Sequence, residues 1–389
     1  MLKMRFSFTI SLFSEYPANN GTKGGYIMKP AYFLGSSGKN GFFSLFDSIA
    51  PKIEGQYTFY IKGGPGTGKS SFMKIIAEEI ESKDIACERI YCSSDPNSLD
   101  GIIIPSLRVS IADATSPHTM DPDYPAASGE IINLGECWDK EKLRGKSEEI
   151  IELTDKNKAC HKRCRRFVDS AFSVYGDGEK ICRENLDKRR IERYGARIAA
   201  RSFKRPSVRI GLEKMRLLDA ITPEGYLFLN HTVEEMCVKK TVFEDDFGVA
   251  AAVIIGEIRT YAIASGFDVI SSPFIGNEKK IRHIIIPQLG LGFFTKDKFC
   301  SPAPEGAKYV SLRRFYDSDG MRYSRAKLNF AKKASKELID EAFSALRSAK
   351  EIHDELESIY IDAMDFGKVE EIRKGIQKRI WASDWWPEE

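Results

Sequence analysis

Long apolar runs are missing from this chain. Its best candidate, "VAAAVII" at 249–255, falls far short of the ~18 residues that a membrane-crossing helix needs. Strong net charge is missing as well. The 59 Lys and Arg stand against 56 Asp and Glu, leaving +3, so global electrostatics select no polyanionic partner. Low-complexity sequence is scarce, and 42% hydrophobic with 30% charged residues is the make-up of an ordinary globular protein. Eight cysteines occur without a disulfide-like spacing, which fits a reducing cytoplasm. The opening "MLKMRFSFTISLF" lacks a full apolar core followed by small residues, which weighs against a secretory signal. Residues 1–27 read as a disordered extension or as an over-called start, with organised sequence starting at Met28. The 389 residues are enough for two cores.

What the chain does have is a repeat. "FLGSSGKNGFFSLF" (33–46) returns loosely as "LDAITPEGYLFL" (218–229), with Gly41 opposite Gly225. An offset of 180 lays Gly68 on Gly248, and "IIIP" at 102–105 returns at 284–287. A stripe with 3,4 spacing runs from Leu328 through Ala331, Ser335, Leu338 and Ala342 to Ala363. Shifted back by 178 it becomes Ile150, Leu153, Asn157, Cys160, Cys164, Phe167, Ala171 and Val174. This is a coiled-coil-like seam whose small residues permit close approach. Each long helix is expected to end at a glycine turn, "YGDG" (175–178) or "DFG" (365–367), with a second helix following. The chain then divides into 28–215 and 216–389, two copies of one unit: an α/β domain followed by a long helical hairpin. Cys160 and Cys164 flank His161 in "CHKRC"; the seam accounts for both sulfurs better than a metal does.

Between two such copies, one stretch stands apart. "IKGGPGTGKSS" (61–71) contains Gly63-x-x-x-x-Gly68-Lys69-Ser70, the complete Walker A pattern. Gly63, Gly64, Pro65, Gly66, Thr67 and Gly68 would let successive N–H groups curl around phosphate oxygens, where a Cβ would obstruct them. Lys69 supplies charge to the β- and γ-phosphates, the Ser70 hydroxyl can ligate Mg²⁺, and Ser71 continues into the helix. Context agrees. "QYTFYIK" (56–62) alternates as a strand does, and Phe72, Ile75, Ile76 and Ile80 have helical spacing. The fold expected is a P-loop NTPase domain of the α/β class, duplicated in tandem.

Three more residues follow strand ends in the same unit. Asp113 closes "LRVSIAD" where a Walker B carboxylate would hold Mg²⁺. Asp95, in "CSSDPN", and His118, in "ATSPH", could each orient an attacking water or a substrate hydroxyl. Alternatively, all three are turn or loop residues. The second copy serves as a control. Lys69 becomes Val249, Ser70 becomes Ala250, Asp113 becomes Thr295, His118 becomes Cys300, and Asp95 falls opposite apolar residues near Phe274. Groups absent together from one copy behave like a site. Asp245 and Asp246 would even repel phosphate there.

Residues 183–209 carry ten Lys and Arg against three acids, with Arg189, Arg193, Arg197 and Arg201 on one helical stripe. The default is a solvated face; the rivals are a clamp or lid on nucleotide phosphate and, less favoured, nucleic-acid contact. "GSSGKNG" (35–41) is no Walker motif and either turns the chain or lines the base. Trp381, Trp385 and Trp386 cap a helix end or anchor a protein partner of unknown kind.

"GGPGTGKSSFMK", "CSSDPNSLDG", "DATSPH" and "INLGECWD" (132–139) together resemble a family of uncharacterised bacterial P-loop ATPase-like proteins built of two related halves. The resemblance spans most of 30–389 and implies an ATP-binding P-loop fold, with Gly63–Ser71 on the nucleotide and Asp113 on the metal. The expectation is ATP and Mg²⁺ binding with nucleoside triphosphate hydrolysis in the first half and a silent second half. A small-molecule kinase and a nucleotide-gated interaction module without turnover are the alternatives. No guanine-reading N-K-x-D motif separates ATP from GTP.

Overall fold

The computed structural model describes residues 29–50, 55–203 and 209–382. The expected extension at 1–27, Met28, Trp385 and Trp386 lie outside them. The first half runs β1 (Ala31–Phe33), a hairpin of β2 (Gly35–Gly38) and β3 (Gly41–Ser44), β4 (Tyr57–Lys62), α1 (Lys69–Ser82), β5 (Glu88–Tyr91), β6 (Leu99–Ile104), β7 (Val109–Asp113) and β8 (Gly129–Asn133). Three helices follow: α2 (Lys140–Gly145), α3 (Ser147–Glu184) and α4 (Lys188–Ser202). The second half repeats the list. It has β9 (Glu213–Met215), β10 (Asp219–Thr222), β11 (Gly225–Phe228), an added α5 (Asn230–Met236), β12 (Lys239–Glu244), α6 (Val249–Ala264) and β13 (Val269–Phe274). Then come β14 (Asn277–Ile286), β15 (Leu291–Lys296), β16 (Lys308–Ser311), α7 (Ser318–Tyr323), α8 (Arg325–Ile361) and α9 (Phe366–Ala382).

The duplication extends to topology. One six-stranded sheet has the order β1-β5-β6-β7-β4-β8, the other β9-β13-β14-β15-β12-β16, and each neighbouring pair keeps the sense of its counterpart. Both sheets are mixed, since β6 and β14 run antiparallel to both neighbours. β4 is buried along nearly its whole length, as a central strand covered on both faces must be. Gly68 and Gly248 cap α1 and α6 from the left-handed region, at φ 81° and 61°, which a side chain would resist. The sheets meet edge to edge between matched residues, Phe33 and Leu217, whose N–H groups each donate to the other's carbonyl at 2.9 and 3.0 Å. "GSSGKNG" is the β2–β3 hairpin with its turn at Lys39 and Asn40.

The helices depart from the hairpins expected of each copy. α3 and α8 pack on each other as an antiparallel pair across the halves: Asn157 donates to the Ala349 carbonyl at 2.7 Å, and Arg163 pairs with Glu341 at 3.2 Å. Leu153 meets Leu356 and Ile359 at one end of the seam. Cys164 is core, its thiol donating to Ser37, so the sulfur is used in packing. α4 then crosses to the second half, where Ile191, Ala199 and Phe203 join the core of α6 and β14. Reciprocally, Val369, Ile376 and Ile380 of α9 complete the core around α1 and β4. Matched backbone bonds fix both crossings: Asp139 N–H to Ala363 and Asp365 N–H to Cys137, against Asp317 N–H to Asn185 and Asp187 N–H to Phe315, all between 2.7 and 3.0 Å. Sequence copies and packed units are thus different objects.

The glycines of "YGDG" do not end α3, which continues to Glu184. Gly178 is a point of close approach: a Cβ there would sit 2.1 Å from the Phe247 ring, whereas Gly176 has nothing within 4 Å. Gly178→Ala should therefore destabilise by about 1–3 kcal/mol through overpacking. Gly176→Ala should stabilise by about 0.5–1 kcal/mol through helix propensity. Urea midpoints of the two variants, compared at constant slope, check the pair.

Candidate functional site

The buried strand β4 delivers the chain directly into the loop 63–68 and then into α1. That sequence of elements leaves the first N–H groups of the helix without intrahelical acceptors. Lys69, Ser70 and Ser71 donate from their backbones to no protein acceptor among the described residues. The Lys69 ammonium folds over the loop, donating at 2.9 Å to both the Gly63 and Gly64 carbonyls, and stands 3.6 Å from Asp113 Oδ2. Thr67 Oγ1 closes the turn by donating to Gly64 at 3.0 Å. Ser70 Oγ accepts from the Leu99 N–H at 2.9 Å, which ties the first helical turn to β6.

Beside Lys69 lies a cluster assembled by three segments: Asp100 from β6, Asp113 from the end of β7, and His118 from the loop after it. Each offers a ligand atom within 4.8 Å of the others. Asp113 Oδ1 accepts from Thr115 N and Oγ1 at 3.0 and 2.6 Å, leaving Oδ2 turned to the ammonium. Burial, reinforced by the neighbouring Asp113, pushes the Asp100 carboxyl up to about 8. Burial lowers His118 to about 4; its ring stacks on Phe46 at 4.0 Å, and neither ring nitrogen has a partner among the described residues. The imidazole is therefore neutral at pH 7 with a lone pair available. The oxygens of Ser70, Asp100 and Asp113 suit a hard divalent cation, and a nitrogen beside them suits a bound water.

Of the residues singled out from sequence, Lys69, Ser70, Asp113 and His118 gather here. Asp95 does not join the cluster. Its carboxylate accepts from Asn97 N and Ser98 Oγ at 3.3 and 2.7 Å, and it faces Lys350 of the second half at 3.7 Å, lining a cleft of about 460 Å³ with Arg347 and Glu224. Asp100 had no signal in the pattern read from the sequence, because "LDGIII" reads as a loop running into an apolar strand. A signal did exist in the sister strand, where the matched residue is Arg282.

The loop is roofed by the other half. Gly66 N–H donates to Glu357 Oε1 at 3.2 Å, and a Cβ on Gly66 would sit 2.7 Å from the Glu357 carbonyl. Gly68 faces Phe366, and Gly64 faces Trp138 and Tyr360. The Trp138 indole N–H is buried with no acceptor among the described residues, a costly state for a donor.

The second half explains that orphan. Asp245 Oδ2 accepts from the N–H groups of Ala250 and Ala251 at 2.7 and 3.0 Å, so a carboxylate of the chain itself occupies the helix N-terminus. The Tyr316 hydroxyl donates to this same carboxylate, lying 2.9 and 3.1 Å from its two oxygens, and Tyr316 is the counterpart of Trp138. Glu179, the counterpart of Glu357, is neutralised by Lys280 at 2.5 Å. Lys280 also donates to the Phe247 carbonyl at 2.8 Å. The arginine stripe of α4 lies on this second half, against α6, so it is no lid over the first-half loop. No family model matches the chain, and no curated protein or solved structure matches it either.

In metal-free protein Asp100 titrates higher folded than unfolded. The folded state then holds the extra proton, so this contribution is complete below about pH 4 and is lost as pH rises through about 8. Asp100→Asn should abolish that loss. In EDTA, its unfolding free energy should fall between pH 5 and 8.5 by less than the parent's, by on the order of 2–4 kcal/mol. Denaturant melts at the two pH values measure it.

Proposed function

We propose that the first half binds a nucleoside triphosphate, ATP with Mg²⁺, and hydrolyses it, while the second half is a nucleotide-free copy. The observation that carries this reading is the contrast between two equivalent helix starts. At α6 the amide donors are satisfied by Asp245 and an adjoining hydroxyl. At α1 the Ser70 and Ser71 amides and the buried Trp138 indole N–H have no acceptor among the described residues, and the carboxylate paired with the Lys69 ammonium is Asp113, at 3.6 Å. A helix N-terminus of this kind favours phosphate.

In this reading the loop amides and Lys69 hold the β- and γ-phosphates, and Trp138 donates where Tyr316 donates to Asp245. Ser70, Asp100 and Asp113 would hold the cation, which would offset charge developing on the transferred phosphoryl group. Neutral His118 accepts a hydrogen bond from water and so orients it. Glu357 must leave Gly66 before phosphate can take that amide, which makes α8 responsive to occupancy. That contact also keeps the nucleotide-gated module in view as a second reading. The kinase reading loses its basic lid, since α4 packs on the other half.

Calorimetry should give one ATP site per chain. Lys69→Ala should remove it, and Val249→Lys should create no second; two equivalent sites in the parent would end the asymmetry argument. Product analysis with labelled ATP separates hydrolysis, which yields free phosphate, from phosphotransfer and from binding without turnover. Trp138→Phe keeps the packing and deletes the donor. It should weaken ATP binding about tenfold, in line with one hydrogen bond to a charged group, and should abolish the change in tryptophan emission expected of the parent on ATP addition. Unchanged affinity would exclude the indole from the site.

A further inference from the structure

The control that isolates the phosphate loop also works in the opposite direction. α4 displays Arg189, Arg193, Arg197 and Arg201, all exposed, and none has a carboxylate partner among the described residues. Arg193 and Arg197 turn their Nε atoms back to the carbonyls of Arg189 and Arg193 at 3.2 and 3.3 Å, leaving their outer nitrogens toward solvent. Two further cations extend the patch. Arg190 and Arg314 lie over the Phe315 ring at 5.5 and 4.9 Å, and Arg314 and Arg197 flank Tyr194 at 5.0 and 5.9 Å.

The sister helix α9 has the same scaffold role without this surface. Matched positions replace Arg189 by Gly367, Arg193 by Glu371, Arg197 by Gly375 and Arg314 by Glu136. Arg201 is retained as Arg379, where it is paired with Glu130. Arg373, Lys374 and Lys368 are likewise paired with carboxylates. The fold therefore does not require the arginines. Successive like charges four residues apart cost a helix about 0.2–0.5 kcal/mol per pair, so a merely solvated face would be better served by the mixed charges of α9.

We propose that α4 and the Arg314 segment form a docking surface for the phosphate backbone of duplex DNA. The stripe from Arg189 to Arg201 spans about 18 Å of rigid helix, and guanidinium groups bind phosphate oxygens in pairs. A membrane surface fits poorly. Binding there would need the apolar face of the helix, and that face (Ile191, Ala199, Phe203) is buried against α6. Single strands are read by exposed aromatic platforms; Tyr194, the aromatic in the patch, is already sandwiched between arginines.

Fluorescence anisotropy of the full chain with a labelled 24-base-pair DNA duplex, from 50 to 200 mM KCl, tests this. The parent should bind with affinity falling steeply with salt. Arg193→Glu with Arg197→Glu should weaken binding at least tenfold and lower the log–log salt slope by about 2. Lys374→Glu with Lys378→Glu on α9 should leave both unchanged. ATP titration of the arginine variant should match the parent, which confirms folding and keeps this outcome separate from the nucleotide reading. The proposal is overturned if the duplex does not bind, if both double variants lose binding equally, or if a single strand or phosphatidylserine vesicles bind more tightly than the duplex.

Discussion

A helix that springs directly from a buried strand presents amide donors that need an acceptor, and both halves of this molecule are organised around that need. Gly68 and Gly248 adopt the same left-handed cap, so both helices begin with the same geometry and the same partial positive charge. In the second half the acceptor is built in, as Asp245. In the first half the loop carries no acid of its own, and the acceptor that reaches Gly66 is Glu357, from a helix belonging to the other copy. A carboxylate held by its own loop is permanent. One supplied across a helix pair can be displaced by a better anion, which in the reading proposed above would be the triphosphate.

That dependence gains force from the crossing of the helices. α9 completes the core beneath α1, and its first residue, Phe366, lies against Gly68; Glu357 sits one turn before the end of α8. A shift at the loop therefore acts on the α8–α9 junction, which the bonds of Asp139 and Asp365 lock to the first half. The α3–α8 pair runs from this junction to the sister junction at Leu186 and Tyr316. The pair therefore touches both loops: Glu357 of α8 accepts from Gly66 in the first, and Glu179 of α3 pairs with Lys280, which bonds the Phe247 carbonyl in the second.

The sequence carried the repeat clearly because turn glycines, the "IIIP" strand ends and the small-residue seam must persist in any copy that folds. It carried the loop and Lys69 for the opposite reason, since those residues are absent from the other copy. Pairing between helices was less legible. A stripe of Leu and Ala states that a helix is buried on one face but not against which partner, so an internal hairpin and a cross-copy pair look alike. "YGDG" misled because glycine serves helix ends and close approaches equally, and only the Phe247 ring beside Gly178 distinguishes them. Asp100 was hidden by its strand, and Trp138 had no spacing signal of its own. Both become visible once the counterparts Arg282 and Tyr316 are located in space.

Comparing copies then separates scaffold from specialisation in both directions. Lys69, Asp113 and His118 are missing from the second half, while Arg193, Arg197 and Arg314 have no basic counterpart around the first. If the copies had simply decayed at random, losses would fall evenly over surface and loop. Instead the differences are concentrated in two places: around the 63–68 loop of the first half, and on the exposed arginine face of α4 that packs on the second. α4 is rooted in the first copy but packs on the second, and it follows α3 after the short break at Asn185–Asp187. A polyanion pulling on α4 and a triphosphate displacing Glu357 would act at opposite ends of the same antiparallel pair, so whichever ligand stiffens that pair lowers the ordering cost left for the other.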